Sequence, residues 1–295
     1  MHRSGTSAVA ELLGELGLAS PAPDELVPAT GANARGHFET KTLVALNERV
    51  LATLGGTWSA PPFLAPGWER DPSLDRLRVE ADDSFAAVFR RRPAVWKDPR
   101  NCILLPFWRE VVGAPAAAVL VYRHPLEVAR SLATRNGLRL TVGLALWERY
   151  VRAASANLVD IPTYCTDFRS VVDDPRAWCG DVVAFLAGAG VPLDSGPLDQ
   201  ATTAVDGALR HQRAGSDEVG AIGDSQRLIL EALGAHDGAH DRWRPPDLGS
   251  EPPWVEDLLV LQRDLDGLGR AQRTLASTHA YRIALSVHRR RGRTA

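Results

Sequence analysis

The amino-acid sequence predicts an α/β protein with a mostly parallel sheet, because helical and strand-like segments alternate along the chain. The clearest strand is residues 116–122 (AAAVLVY), a continuous apolar run typical of strands inside parallel sheets. Two shorter strands are predicted at 94–96 and 161–165. These three segments form the predicted sheet.

Helical periodicity and helix-start signals account for most of the remaining chain. Pro125 stands at a first helical position, where its fixed φ and missing N–H are tolerated. Residues 21–36 and 61–72 are interrupted by Pro and Gly, and we predict loops there. The predicted helices are 8–18, 40–54, a charged helix that ends near residue 89, 126–134, 142–158, 175–187, 225–233 and 254–287.

The composition is typical of a globular protein. The chain has 295 residues, 45% of them hydrophobic, which is enough for one substantial core. Its 34 basic and 36 acidic residues nearly balance, so we expect no nucleic-acid partner. No apolar run reaches the roughly 20 residues that span a bilayer, so we expect no integral membrane segment. Oligomeric state cannot be inferred from composition.

Cysteine usage favours a reducing compartment. The three cysteines, Cys102, Cys165 and Cys179, form no CxxC pair and cannot all pair internally. No signal-peptide pattern opens the sequence, and we expect none. We therefore expect a cytoplasmic protein.

The regular pattern weakens after Val191, which suggests a division of the chain. Residues 1–190 are expected to form the core of the fold. Residues 191–295 are expected to form a mainly helical extension packed on the same domain. The basic stretch 288–293 at the end is predicted to be solvated.

Residues 2–7 (HRSGTS) run directly into the first predicted helix. Such a turn presents unpaired N–H groups and the positive end of the helix dipole, which suits a phosphate or sulfate, and Arg3 adds a cation. Simple helix capping is the alternative. A turn of this kind normally follows a buried strand, and only Met1 and His2 precede it, so the first strand is expected to be missing. The patterns GxxxxGK[ST] and GxGxxG are both absent.

Cationic side chains also follow two predicted strands. Lys97 comes after the strand 94–96, and Arg123 ends the strand 116–122. In parallel sheets ligands bind beyond the carboxyl ends of the strands, so these cations and Arg3 are expected to converge. The alternative is that each is a solvated residue at a strand end.

Together these segments resemble the bacterial sulfotransferase family. The resemblance lies in residues 1–7 (MHRSGTS), 35–39 (RGHFE), 96–100 (WKDPR) and 122–126 (YRHPL), and it continues through Ser131 and residues 164–168. It covers about residues 1–190, and the set of motifs is more specific than any one of them.

The resemblance implies a three-layer sandwich of the P-loop NTPase-like type. It also implies sulfonate transfer from 3′-phosphoadenosine 5′-phosphosulfate, a co-substrate that needs no metal, to a hydroxyl or amine. The acceptor would be a carbohydrate, a lipid or another small molecule. In that family the opening turn holds the 5′-phosphosulfate, an Arg and a Ser bind the 3′-phosphate, and a Tyr lies near adenine. The resemblance therefore assigns the 5′-phosphosulfate to Arg3, Ser4, Gly5, Thr6 and Ser7, and the 3′-phosphate to Arg123 and Ser131. It assigns the adenine to Tyr164, for which a core position is the alternative.

Arg3 and Lys97 are suited to stabilise the charge that develops during transfer. Related sulfotransferases place a glutamate base shortly after the first helix, and Glu39 matches it. His37 is the rival, since other members use a histidine. The alternative for Glu39 is that its carboxylate only stabilises the N-terminus of the following helix. Asp98 is expected to be an ion-pair partner.

Two other functions compete with the sulfotransferase. The first is an inactive nucleotide-binding relic or regulatory module, which the short segment before Arg3 motivates. The second is a small-molecule kinase with a variant phosphate loop, which would need Mg²⁺ held by Thr6 or Ser7. No part of the sequence identifies the acceptor.

Overall fold

A computed structural model of the chain describes residues 1–28, 37–193 and 222–277. Outside the described residues lie Arg35 and Gly36 of the second motif, the end of the first predicted loop and the segment 194–221. So do the end of the last predicted helix and the basic stretch 288–293.

The described residues form an α/β structure with a small mixed sheet, which confirms the predicted class. Strand β1 (Ala118–Tyr122) pairs in parallel with β2 (Thr163–Asp167), and β2 pairs antiparallel with β3 (Gly238–His240). Tyr122 lies opposite Asp167 at the carboxyl ends of the parallel pair. Groups that follow β1 and β2 therefore share one edge of the sheet.

The helices agree with most of the predicted segments, with shifts of a few residues at their ends. Each prediction rested on apolar periodicity, and the buried positions follow that periodicity. Their bounds are α1 Thr6–Glu15, α2 Lys41–Thr53, α3 Asp75–Val88, α4 Asn101–Val112, α5 Pro125–Asn136, α6 Leu140–Asn157, α7 Phe168–Asp173, α8 Pro175–Gly188, α9 Asp224–Gly234 and α10 Pro253–Ser277.

One predicted strand forms only in part. Within the described chain, residues 94–96 make a single parallel bridge, between Ala94 and Ala19. The N–H of Val95 donates to the carbonyl of Ala19 over 3.0 Å, and the N–H of Ala19 donates to Pro93 over 2.9 Å. The apolar character of the segment reflects its packing rather than a strand ladder.

Helices α4 and α7 and strand β3 have no counterpart in the sequence-based prediction. Helix α4 contains Pro106, which normally argues against a helix interior. Strand β3 has the sequence Gly-Ala-His, which carries little β propensity, and it forms because β2 offers an open edge. Contacts with neighbouring elements therefore determine that α4 and β3 form.

Apolar side chains cover both faces of the sheet. Leu120 and Tyr122 of β1 belong to the larger apolar cluster, with Leu146 of α6. Val121, which points the other way, belongs to a second cluster with Leu12 of α1. Burial on both faces explains why β1 is a continuous apolar run.

The segment after residue 222 packs on the same core. Trp243 is fully buried in the larger cluster, and its indole N–H donates to the carbonyl of Ser155 over 2.9 Å. Val255 and Leu259 of α10 are buried in the same cluster. This segment also supplies β3.

Helices α5 and α6 approach each other closely at Gly143. A Cβ at Gly143 would lie 2.8 Å from the Cα of Ala129, so only glycine fits without a backbone shift. Four residues later Trp147 donates its indole N–H to the carbonyl of Arg123 over 2.8 Å. The close packing therefore fixes the end of β1.

We expect Gly143→Ala to lower the free energy of unfolding by about 1–3 kcal/mol, because overpacking shifts two backbones. Gly180→Ala is the matched control, since Gly180 lies in α8 with nothing near its Cβ position. That change should stabilise the protein by up to about 1 kcal/mol through helix propensity. Urea denaturation measures both, and equal effects would contradict the close approach.

Candidate functional site

The opening turn is a strained left-handed bend at the start of α1. Arg3 has φ 64° and Gly5 has φ 86°. Gly5 is the N-cap and no side chain caps the helix. The first helical hydrogen bond runs from the N–H of Val9 to the carbonyl of Gly5 over 3.2 Å, so the amides of Thr6, Ser7 and the next residue have no acceptor in the helix.

Glycine is required at position 5 for a second reason. A Cβ there would lie 2.0 Å from the ring of Phe168, the residue that begins α7 after β2. The turn is therefore pressed against the carboxyl end of the sheet. This contact explains how the bend comes to lie at the strand ends.

The side chains of the turn connect it to α5. The guanidinium Nε of Arg3 donates to Ser131 Oγ over 2.8 Å. Ser4 is completely buried, and its Oγ has no hydrogen-bond partner among the described residues. A buried hydroxyl without a partner costs free energy, so an external ligand or water is the expected partner.

Arg123 follows β1 and is buried beside the turn. Its Nε donates to Glu127 Oε2 over 2.6 Å, and one terminal nitrogen reaches the carbonyl of Arg3 over 3.5 Å. Its guanidinium also lies 5.4 Å from the centre of the Phe168 ring. The structure thus brings together Arg3, Arg123 and Ser131, three residues that the sequence assigned to one nucleotide site.

Positive charge accumulates around the turn. Burial, and then the charges of Arg135 and Arg123, lower the pKa of Arg3 to about 10. Among the described residues, Arg3 forms no ion pair. An anion bound beside Arg3, Arg123 and Arg135 would relieve the repulsion between these cations. Phosphate and sulfate sites are usually built in this way.

Lys97 and Glu39 form a largely buried ion pair. Lys97 Nζ lies 2.7 Å from Glu39 Oε1, and the two side chains are 9% and 13% exposed. Burial lowers the pKa of Lys97, and the attraction of Glu39 opposes that shift. Arg100 stands 3.8 Å from the other oxygen of Glu39. The candidate base and the candidate sulfonate-binding cation are therefore adjacent.

Asp98 holds Arg100. One carboxylate oxygen of Asp98 accepts from the N–H and from the guanidinium of Arg100, both over 2.9 Å. The other oxygen accepts from the amide of Asn47, whose own oxygen accepts from Trp108. This buried network fixes the loop on which Lys97 stands.

His37 lies between the turn and α5. Its carbonyl accepts from Ser7 Oγ over 3.1 Å, and its Nε2 is 3.2 Å from a guanidinium nitrogen of Arg135. Burial, followed by the charges of Arg135 and Lys97, lowers the pKa of His37 to about 4. Its imidazole is therefore neutral at neutral pH and weakly basic.

His2 is a candidate that sequence analysis overlooked. Its Nε2 is buried and has no hydrogen-bond partner in the part of the chain that the structure describes, and its ring lies 4.7 Å from Trp58 and 5.8 Å from Tyr150. Burial, and then the charges of Arg100 and other cations, lower its pKa well below the ordinary value. The motif contained His2, but only packing shows that its nitrogen is unsatisfied.

Tyr164 has the surroundings of a core residue. It is buried in the second apolar cluster, with its ring 5.7 Å from Phe185 and 6.3 Å from Trp178 of α8. Burial raises its pKa to about 12. The contacts fit the core alternative, and no contact in the described chain connects Tyr164 with the opening turn.

The described residues contain neither a metal-binding cluster nor a helix suited to cross a membrane. No group of three or more His, Cys, Asp or Glu side chains there is arranged to hold a metal ion. Among the same residues, no helix combines the length and the apolar character needed to cross a membrane.

Comparison of the chain with protein-family models, with curated proteins and with solved structures finds no match. The functional proposal therefore rests on the geometry of the site and on the motif residues.

We expect His37 to titrate near pH 4 by NMR, instead of near its ordinary 6.5, because burial and Arg135 disfavour the imidazolium. The pKa of His37 is lower in the folded protein than in the unfolded chain, so the neutral imidazole is compatible with the fold and the imidazolium is not. The free energy of unfolding therefore decreases as the pH falls from about 6.5 toward 4. Arg135→Gln should raise the midpoint, and the signal is assigned to His37 by its loss in a His37→Gln protein. A His37 midpoint at 6 or above would contradict the buried arrangement.

Proposed function

We propose that the protein is a sulfotransferase that uses 3′-phosphoadenosine 5′-phosphosulfate as donor. The observation that supports this most is the buried, unpartnered hydroxyl of Ser4 beside a left-handed bend, free helix amides and the Arg3–Ser131 bond. That set of donors is neutral or cationic, as a site for an anion requires.

The fold supports the same proposal. Helices α1 and α8 cover one face of the sheet, and α6 and α10 contribute to the cluster on the other face. We propose that these layers are the three-layer sandwich of the P-loop NTPase-like class. The opening turn, Arg123 and Glu127 then lie where ligands of parallel sheets bind.

The residues present fit the donor nucleotide. The amides of Thr6 and Ser7 and the side chains of Arg3 and Ser4 would hold the 5′-phosphosulfate. Arg123 and Ser131 would hold the 3′-phosphate. Ser131 already accepts from Arg3, so one hydrogen-bond network would join the two phosphate subsites. Tyr164 is the one nucleotide-binding assignment that the contacts do not favour.

Transfer breaks the bond between sulfur and the phosphate oxygen and forms a bond between sulfur and the acceptor oxygen or nitrogen. The leaving phosphate gains negative charge, which Arg3 and Lys97 would stabilise. The acceptor proton would pass to Glu39, which is held by Lys97. We prefer Glu39 to His37 as the base because the His37 imidazole is weakly basic.

The acceptor is proposed to be a carbohydrate, lipid or other small molecule with a hydroxyl or amine. We propose a cytoplasmic location, since the three cysteines are free. A metal-dependent kinase is less well supported, because Thr6 and Ser7 have no loop lysine beside them.

An inactive nucleotide-binding module remains the second candidate. The ion pair between Lys97 and Glu39 favours it, because each group already satisfies the other. The two candidates share nucleotide binding and differ in turnover, so the experiment on the turn tests the property they share and the transfer assay distinguishes them.

We expect Ser4→Ala to weaken binding of 3′,5′-adenosine bisphosphate by about tenfold to a hundredfold, because a hydrogen bond to a charged group contributes about 1.5–3 kcal/mol. Ser155→Ala is the matched control, since Ser155 Oγ is equally buried and unpartnered but lies in α6. Isothermal calorimetry measures both. No heat with the wild-type protein would refute nucleotide binding itself.

We expect Glu39→Gln to lower sulfonate transfer by about 10²–10⁴-fold while bisphosphate binding is unchanged, because the amide cannot accept the proton. The measurement is transfer of ³⁵S from labelled donor to components of a cell extract. Glu48→Gln is the control, since Glu48 pairs with Arg100 instead of Lys97. Binding without any wild-type transfer would favour the inactive module.

A further inference from the structure

Helix α5 presents to the candidate site a row of three polar residues spaced by four positions, which are Glu127, Ser131 and Arg135. Residues four apart lie on the same face of a helix, about 6 Å from each other along its axis. Glu127 accepts from Arg123 over 2.6 Å, and Ser131 accepts from Arg3 over 2.8 Å. Arg135, in the last turn, has a guanidinium nitrogen 3.2 Å from His37 Nε2. The row therefore continues past the residues that are assigned to the nucleotide.

Arg135 carries a charge that the described chain does not neutralise. A guanidinium only donates hydrogen bonds, so His37 Nε2 is the acceptor and the imidazole is neutral. The pKa of His37, which burial and then the charge of Arg135 lower to about 4, agrees with a neutral ring. Across residues 1–28, 37–193 and 222–277, no carboxylate forms an ion pair with Arg135. The contact between Arg135 and His37 therefore keeps a full positive charge at neutral pH.

The guanidinium of Arg135 is held on one side and accessible on the other. Glu127 and Ser131 are buried, whereas Arg135 is exposed. A guanidinium has five N–H donors, and the contact with His37 occupies one of them. Such a group is oriented in advance and still has donors for a carboxylate, sulfate or phosphate, which it can bind through two parallel hydrogen bonds.

The position of Arg135 along α5 separates it from the donor nucleotide. In the proposed function Arg123 and Ser131 hold the 3′-phosphate, and the opening turn with Arg3 holds the 5′-phosphosulfate. Arg135 lies one helical turn beyond Ser131, on the side away from Arg123. In-line transfer places the acceptor across the sulfur from the leaving phosphate. The continuation of the row past the phosphosulfate is therefore the side from which the acceptor approaches.

His37 connects Arg135 with the candidate base. Its side chain contacts Arg135, and Glu39 follows it by two residues. The charge of Lys97, which lies 2.7 Å from Glu39, also contributes to the lowered pKa of His37. An acceptor whose hydroxyl or amine lies at Glu39 can therefore place a second group at Arg135.

We propose that Arg135 is a specificity-determining residue that binds an anionic group of the acceptor. The acceptor is then an acid, which carries a carboxylate, sulfate or phosphate in addition to the hydroxyl or amine that receives the sulfonate. A neutral acceptor would gain nothing from the charge of Arg135. This inference rests on the proposed function, because the donor subsites define the acceptor side.

The first experiment separates acceptors by charge before any transfer takes place. A protein-free cell extract is passed over an anion exchanger at low salt, and the retained compounds are eluted with volatile ammonium bicarbonate and dried. With ³⁵S-labelled donor, the wild-type protein should label the retained compounds about tenfold more than the unretained ones. Division of the labelled compounds between water and chloroform distinguishes a soluble acid from an acidic lipid. Label mainly in the unretained compounds would overturn the inference.

The second experiment separates the charge of Arg135 from its packing. Arg135→Gln keeps a donor for His37 and removes the charge. At a low concentration of the retained compounds it should transfer about tenfold to a hundredfold more slowly. Excess acceptor should restore most of the rate, because acceptor binding is affected and the chemical step is not. Arg135→Lys, which keeps the charge, should lose less than Arg135→Gln.

Arg109→Gln is the matched control for Arg135→Gln. Arg109 is also an exposed arginine in the last turn of a helix, α4, and it belongs to no part of the candidate site. This variant should transfer at the wild-type rate with the same retained compounds. Equal rates for Arg135→Gln and Arg109→Gln would overturn the inference.

Calorimetry with 3′,5′-adenosine bisphosphate distinguishes acceptor binding from donor binding. Arg135→Gln should bind the bisphosphate within about threefold of the wild-type affinity, because solvent screens an exposed charge that makes no direct contact with it. A loss of bisphosphate affinity as large as the loss of transfer would place Arg135 in the donor site and overturn the inference. If the wild-type protein transfers nothing to either fraction, the proposed function is refuted, and this inference falls with it.

Discussion

The contact between the opening turn and the carboxyl end of the sheet organises the candidate site. The ring of Phe168 leaves no room for a side chain at Gly5, and the carbonyl of Arg3 accepts from Arg123. These contacts hold a left-handed bend against a strand end. They also force two guanidinium groups close together in a partly buried place, where their repulsion favours an anion.

The second half of the candidate site depends on a buried polar network. Asp98 ties Arg100 to Asn47, and Asn47 is tied in turn to Trp108 of the core. The loop that carries Lys97 is therefore fixed by Asp98, Arg100 and Asn47, for none of which a role in the transfer is proposed. Lys97 and Glu39 can then face each other at 2.7 Å with little exposure, which positions a cation and a carboxylate together.

Helix α10 carries apolar side chains on two faces. Its inner face, with Leu259, contributes to the core that also buries Trp243. Its outer face leaves Leu261, Leu265 and Leu268 exposed to solvent, which is a cost to solubility.

The sequence by itself determined the α/β class, the strands β1 and β2, and most helices, because burial on both faces and apolar periodicity are local patterns. It also predicted that the cations Arg3, Lys97 and Arg123 converge, and the resemblance added Ser131 to this group. Only the tertiary structure decided α4 with its internal proline and strand β3, since neighbouring elements stabilise them against weak local propensity. It alone showed the lowered pKa of His37 and the unsatisfied nitrogen of His2, because burial and the proximity of distant charges are not local properties.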